Sequence, residues 1–180
     1  HPGQCGIVYC ATRRLVEEVC ERLQEEGFSA TRYHAGLSDE ERRISQEDFT
    51  YDRKLIMVAT NAFGMGIDKS NVRYVIHYNM PKSMEAYYQE AGRAGRDGED
   101  AECILLYNGQ DIITAKYLIN NGEPNPDLTP QQQAAIRSQD MRRLQQMIHY
   151  ATDDGCLRGA ILRYFGEQAP ARCDNCSGCL

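Results

Sequence analysis

A chain of 180 residues with 42% apolar content can bury one medium core and a small appendage. No apolar run exceeds about five residues, far short of the roughly 20 needed to cross a bilayer, so a membrane-spanning reading fails. The formal net charge of −6 divides into +1 for residues 130–180 and −7 for the rest, so neither part is the basic surface that a free-standing nucleic-acid binder requires.

CGIVYCA (5–11) is a short apolar run that reads as a buried strand. Thr12 caps the helix that follows, in which Leu15, Val16, Val19, Cys20 and Leu23 recur at helical spacing until Gly27 stops it. FSATRYH (28–34) is a second strand, and Ser38 with Glu41 forms a capping box for a helix reaching about Phe49. KLIMVAT (54–60) and VRYVIHYN (72–79) are further strands. A helix containing Met84 to Glu90, the strand AECILLY (101–107) and a helix over about 110–120 come next. Strands alternating with helices predict right-handed crossovers and an α/β fold, a mostly parallel sheet with helices on both faces. Functional residues of such sheets collect beyond the strand carboxyl ends, and the glycine-rich segments 61–68 and 92–98 are expected in or near those loops. NNGEPNPDLTP (120–130) holds three prolines and marks a linker or domain edge. Beyond it, 131–152 reads as a polar helix with Ile136, Met141, Leu144, Met147 and Ile148 as its apolar stripe, and CLRGAILRYF (156–165) as a shorter one. The expected organisation is an α/β lobe over 1–122, a linker over 123–130 and a small helical subdomain over 131–180.

Eight cysteines fall into two groups. Cys5, Cys10, Cys20 and Cys103 sit singly among apolar neighbours and read as small core residues. Cys156, Cys173, Cys176 and Cys179 crowd the last 25 positions, the last three separated by two-residue gaps that let neighbouring sulfurs face one tetrahedral Zn²⁺. A disulfide or free thiols, and an iron–sulfur cluster, are the competing readings. Four protein ligands leave no open position for a catalytic water, so a zinc site here would be structural. Metal-ligating thiols and the absence of a signal-peptide pattern fit a reducing, intracellular setting.

FGMGIDKS (63–70) is not a triphosphate-cradling loop, because Asp68 stands where the glycine before Lys-Ser belongs, and the dinucleotide fingerprint fails at Lys69. DEER (39–42) opens a capped helix instead of ending a strand, which suits a solvated helix start better than a magnesium site. The 180 residues therefore hold neither a triphosphate loop nor metal-binding acids for nucleotide hydrolysis. QEAGRAGRDG (89–98) is different: Arg93 and Arg96 are set among glycines, and arginine's rigid fork of donors suits phosphate oxygens. Such an arginine, offered to a γ-phosphate from a separate lobe, is an arginine finger. The alternative is surface salt bridging to Glu90, Asp97 or Glu99.

YYQEAGRAGRDGE (87–99) closely resembles motif six of superfamily-two helicases in the form typical of RecQ helicases. VATNAFGMGIDKSNVRYVIHYNMP (58–81) resembles motif five, GIVYCATRRLVEEVCERL (6–23) motif four, and YHAGLSDEERRISQEDF (33–49) the segment after it. The family also carries a four-cysteine zinc subdomain behind its second motor lobe, in the order and spacing seen here. The resemblance implies a RecA-like second lobe followed by that subdomain, part of an ATP-dependent DNA helicase unwinding 3′-to-5′ in recombination and repair. It implies Arg96 as the finger, Arg93 as a phosphate or lobe-coupling contact, and Gln89 as the motif's glutamine. Gly66 and Asp68 match the motif-five pair facing the nucleotide. Thr60 matches a hydroxyl contacting the single-strand backbone, and His34 and Arg13 lie in loops where the family touches DNA. The implied cofactors are a structural Zn²⁺ and ATP with Mg²⁺, the latter shared with a first RecA-like lobe. The implied partners are that lobe and single-stranded or duplex DNA, without a membrane, in a bacterial cytoplasm or a eukaryotic nucleus. A zinc-anchored nucleic-acid or protein adaptor and an RNA helicase lobe are the rival functions; motif six weighs against the first, the cysteine cluster against the second.

Overall fold

The computed structural model describes residues 1–64 and 69–180. The chain divides into two compact units, His1–Asn79 with Gln89–Leu106, and Met80–Tyr88 with Tyr107–Leu180.

The first unit is a five-stranded sheet in the order β2-β3-β1-β4-β5, with β1 at Cys5–Tyr9, β2 at Ala30–Tyr33, β3 at Ile56–Ala59, β4 at Val72–His77 and β5 at Glu102–Leu105. Every pairing is parallel. β1 and β3 are buried at every position, as expected of central strands covered on both faces. Helix α1 (Arg13–Glu25) lays Val16 and Cys20 on one face, against Val8, Cys10, Ile56 and Val58. The opposite face carries Cys5, Ile7, Tyr9, Met57 and Val75, closed by Phe49 of α2 (Asp39–Thr50) and by Phe63. Thr12 caps α1, and Ser38 with Glu41 forms the expected capping box on α2. Gly6 is required at its place: a Cβ there would lie 1.9 Å from the Tyr74 ring, which rests on β1.

Two expectations for the strands change. The strands are shorter than their apolar runs, because flanking residues serve loops; Ala11, for example, donates its N–H to Asn79 Oδ1. Cys103 is exposed, whereas Cys5, Cys10 and Cys20 are buried. Its strand, β5, pairs only with β4 at the sheet edge, so apolar neighbours in sequence did not place it inside.

In the second unit, α4 (Gly109–Asn121), α5 (Pro130–Ala151) and α6 (Leu157–Tyr164) join the first part of α3 (Met84–Ala91), whose last residues belong to the sheet unit. Leu144, Met147 and Tyr150 are the buried stripe of α5, while Ile136 is exposed. The period-based stripe ran too far toward the amino end of the helix and omitted Tyr150, which packs on Tyr87 with ring centroids 5.3 Å apart. Tyr164 donates its hydroxyl to Glu85 at 2.8 Å. The proline-rich stretch is an ordered turn: Asn125 Oδ1 accepts from Asp127 N–H, and Gln133 reaches back to the Asn125 and Leu128 carbonyls. The division between units falls at 106/107 and puts α4 with α5, whereas the sequence-based boundary lies at 122/123.

Candidate functional site

The arginine turn is placed by α3. Glu90, near the helix end, lies 2.8 Å from Nε2 of the buried His77, the last residue of β4. The chain then runs back antiparallel to the strand, and Gly95 N–H donates to the carbonyl of Val72, the first residue of β4. The turn 92–98 therefore comes to the amino end of β4 instead of the expected carboxyl-end loops, because the residues after α3 run back from His77 toward Val72. Gly95 has a φ of +66°, and a Cβ there would meet the Glu99 carbonyl at 2.8 Å.

Arg96 is exposed, with its Nε donating to the Gly92 carbonyl at 3.3 Å. Arg93 is half-buried; its Nη1 donates to the Gly64 carbonyl at 2.9 Å, while its buried Nε has no hydrogen-bond partner among the described residues. Gly64 makes this approach possible, since a Cβ would stand 2.0 Å from Arg93 Nη2. Glu90 pairs with His77, and Asp97 with Arg73. Gln89 is exposed on α3 beside Glu90. Gly66 and Asp68 lie outside the described residues.

The candidate DNA-contacting residues gather at the carboxyl ends of the strands. Thr60, just past β3, donates its N–H to the Tyr33 carbonyl at the end of β2. His34 follows β2, and Arg13 opens α1; the Arg13 Cδ and the His34 ring flank the same space above Gly36. Arg13 is exposed and Thr60 is buried. His34 is 5% exposed, its Nδ1 accepts from Gly36 N–H at 3.1 Å and its Nε2 lies 2.8 Å from Glu17. Both ring nitrogens are thus used internally, so His34 shapes the loop beneath Arg13 and has no nitrogen left to offer a ligand. Glu17, which also pairs with Arg32, is held below the usual carboxylate range: burial acts upward, but the His34 and Arg32 hydrogen bonds outweigh it.

Sequence reading missed Tyr9, His77 and Lys69, polar groups inside apolar strands or beside glycines. Lys69 is buried, with its ammonium 2.7 Å from Asp52 and 5.2 Å from the centre of the Phe49 ring. Its signal was a lysine directly after a glycine-rich stretch and before a buried strand.

In the second unit the Sγ atoms of Cys156, Cys173, Cys176 and Cys179 all lie within 4.8 Å of one another. A tetrahedral ion with metal–sulfur bonds of about 2.3 Å holds its sulfurs about 3.8 Å apart. Cys173 and Cys179 stand 4.0 Å apart, so one ion fits with small adjustment. None of the four is in a disulfide, and a multi-iron cluster would place further atoms between the sulfurs and spread them. The local backbone favours thiolates. Cys156 caps α6, where Gly159 N–H lowers its thiol below the usual value. Burial pushes Cys176 up, but the first amides of α6, Arg158 and Leu157, outweigh it and bring that thiol to about 6. Cys173 titrates at about 11; the Asn175 amide pulls it down, yet burial and the three neighbouring sulfurs push it further up. Gly178 allows the chain to close, since a Cβ there would lie 2.0 Å from the Gly155 carbonyl.

A parallel sheet of this order with an arginine-bearing turn has relatives of known structure and sequence. A crystal structure of a DEAD box protein from the hyperthermophile Methanococcus jannaschii aligns with a TM-score of 0.55 at 30% identity, over 65% of this chain and 32% of that one. Residues 1–98 match the family model described as helicase conserved C-terminal domain, so the class is a RecA-like helicase lobe. Residues 109–180 match the RecQ zinc-binding model. The ATP-dependent DNA helicase RecQ of Bacillus subtilis is 47% identical over 98% of this chain and 28% of that protein. The protein of the same name from Haemophilus influenzae is 43% identical over 99% of this chain and 27% of its own length. The chain belongs to the RecQ helicase family, of which it carries the C-terminal helicase lobe and the zinc-binding segment. It spans little more than a quarter of the length of these relatives.

Proposed function

We propose that this chain is the C-terminal motor part of an ATP-dependent DNA helicase, active when joined to a first RecA-like lobe that carries the triphosphate loop. The observation that carries the reading is the arginine turn 92–98, with Arg96 exposed and Arg93 seated on the Gly64 carbonyl. Bound between the lobes, ATP with Mg²⁺ supplies the phosphoryl group whose hydrolysis drives motion. Arg96 offers its guanidinium to the γ-phosphate, and Arg93 couples that contact to the backbone at Gly64. Gln89, Gly66 and Asp68 complete the nucleotide-facing side. Thr60 and Arg13, with His34 shaping the loop, track the backbone of single-stranded DNA, and 3′-to-5′ unwinding in recombination and repair follows from the family. The four cysteines hold one structural Zn²⁺, which contributes folding free energy and takes no part in hydrolysis. The net charge of −6 agrees with DNA binding that depends on the joined lobes.

Chain 1–180 alone is expected to show no DNA-stimulated ATP turnover; the same chain joined to the first lobe should hydrolyse ATP and unwind a duplex with a 3′ single-stranded tail. Turnover by pure 1–180 protein, or a joined protein that hydrolyses nothing in the presence of DNA, contradicts the reading.

A further inference from the structure

Tyr9 ends β1 with its side chain in the sheet core, 3% exposed. A phenylalanine would fill that space equally well; the buried hydroxyl calls for a partner and a reason. It donates to the Phe63 carbonyl at 3.3 Å. The next carbonyl along the chain, that of Gly64, accepts from Arg93 Nη1 at 2.9 Å. Two consecutive carbonyls are thus held by two side chains, and the donor to the second is one of the paired arginines. On its other side the Tyr9 ring stacks on His77 with centroids 5.5 Å apart and an interplanar angle of 22°. His77 in turn binds Glu90, three residues before Arg93. Tyr9 therefore touches both the backbone that receives Arg93 and the pair that fixes the helix carrying it.

We infer that Tyr9 is a positioning residue for the arginine pair: its hydroxyl fixes the Phe63–Gly64 backbone on which Arg93 is seated, and so sets the direction of the turn that ends in Arg96. The inference rests on the proposed reading of these arginines as phosphate-facing groups. Tyr9 touches no nucleotide in this scheme; it acts through Arg93. The Arg93 and Arg96 charges draw the Tyr9 phenol downward, but burial dominates and keeps it protonated and able to donate.

The test is Tyr9→Phe in the two-lobed protein, assayed with ATP, Mg²⁺ and a single-stranded oligothymidylate, beside Arg93→Ala, Arg96→Ala and the double variant Tyr9→Phe/Arg93→Ala. Misplacing a catalytic group by about 1 Å can cost about a hundredfold, so kcat should fall by about ten- to a hundredfold. KM for ATP should move less than about twofold, because the triphosphate is held by the other lobe. Melting temperature should be unchanged, and Tyr9→Phe should add no further loss to Arg93→Ala. Turnover within about twofold of the parent, with Arg96→Ala inactive, overturns the inference, as does a rate loss that merely follows a lowered melting temperature or adds fully to Arg93→Ala. Full turnover by Arg96→Ala is a separate failure, that of the functional reading itself.

Discussion

The arginine turn and the four-cysteine cluster are both short stretches dense in chemistry-bearing residues, yet the chain uses them in opposite ways. At 92–98 the glycines, an exposed Arg96 and a hydrogen bond from Gly95 to Val72 set the turn on a sheet that is already complete. Its buried neighbours, His77 and Glu90, serve each other. At 156–179 the sulfurs turn toward one another. Of the largest fully buried side chains described, only Met84, Leu144 and Met147 belong to the second unit, while Phe49, Phe63, Ile7, Met57 and His77 are among those in the sheet unit. One cluster is supported by the fold and presents Arg96 at its surface. The other supports the fold and is thereby used up.

Removing the metal should break this comparison most strongly. Structural zinc contributes about 10–16 kcal/mol of apparent folding free energy in small domains. Chelation is therefore expected to expose residues 153–180 to protease while the sheet unit keeps its melting transition, and Cys176→Ala should do the same. A tail that stays protected without metal contradicts it. A smaller effect of opposite address comes from Phe49→Ala. This ring is fully buried, edge-on to Phe63 at 5.9 Å and beneath the Lys69 ammonium, so its loss should destabilise the sheet unit by about 3–5 kcal/mol. Denaturant titration of Phe49→Ala should move the sheet transition and leave the zinc content at one ion per chain; loss of zinc together with the sheet would mean that the units do not stand independently.

Much of this organisation was legible in the sequence because it depends on local rules. Thr12, Ser38 and Glu41 are caps in the structure, and the spacing of Cys173, Cys176 and Cys179 put their sulfurs together. What escaped was set by tertiary neighbours. Cys103 looks like Cys5 in sequence, but only the strand order reveals that β5 is an edge. His34 looked like a ligand-facing loop histidine; Glu17, on a helix 17 residues earlier, takes its Nε2. Arg93 was expected as a phosphate or lobe-coupling contact, and its seat on Gly64, 29 residues away in the chain, had no signal in the sequence. The prolines at 124, 126 and 130 announced a loop, but composition cannot tell a hinge from a turn fastened by Asn125 and Gln133.

The measurement that bears most directly on the account is Arg96→Ala in the two-lobed protein, with DNA-stimulated turnover, ATP binding and melting temperature followed on one preparation. An exposed salt bridge is worth about 0–1 kcal/mol, so the fold should hardly notice the change. An arginine finger is worth about 10³–10⁵ in rate, so turnover and unwinding should nearly vanish while ATP still binds. Arg96→Lys should rescue poorly, because an ammonium lacks the planar fork. A loss of turnover below about tenfold, accompanied by a lowered melting temperature, would instead make Arg96 a structural residue and contradict the central claim.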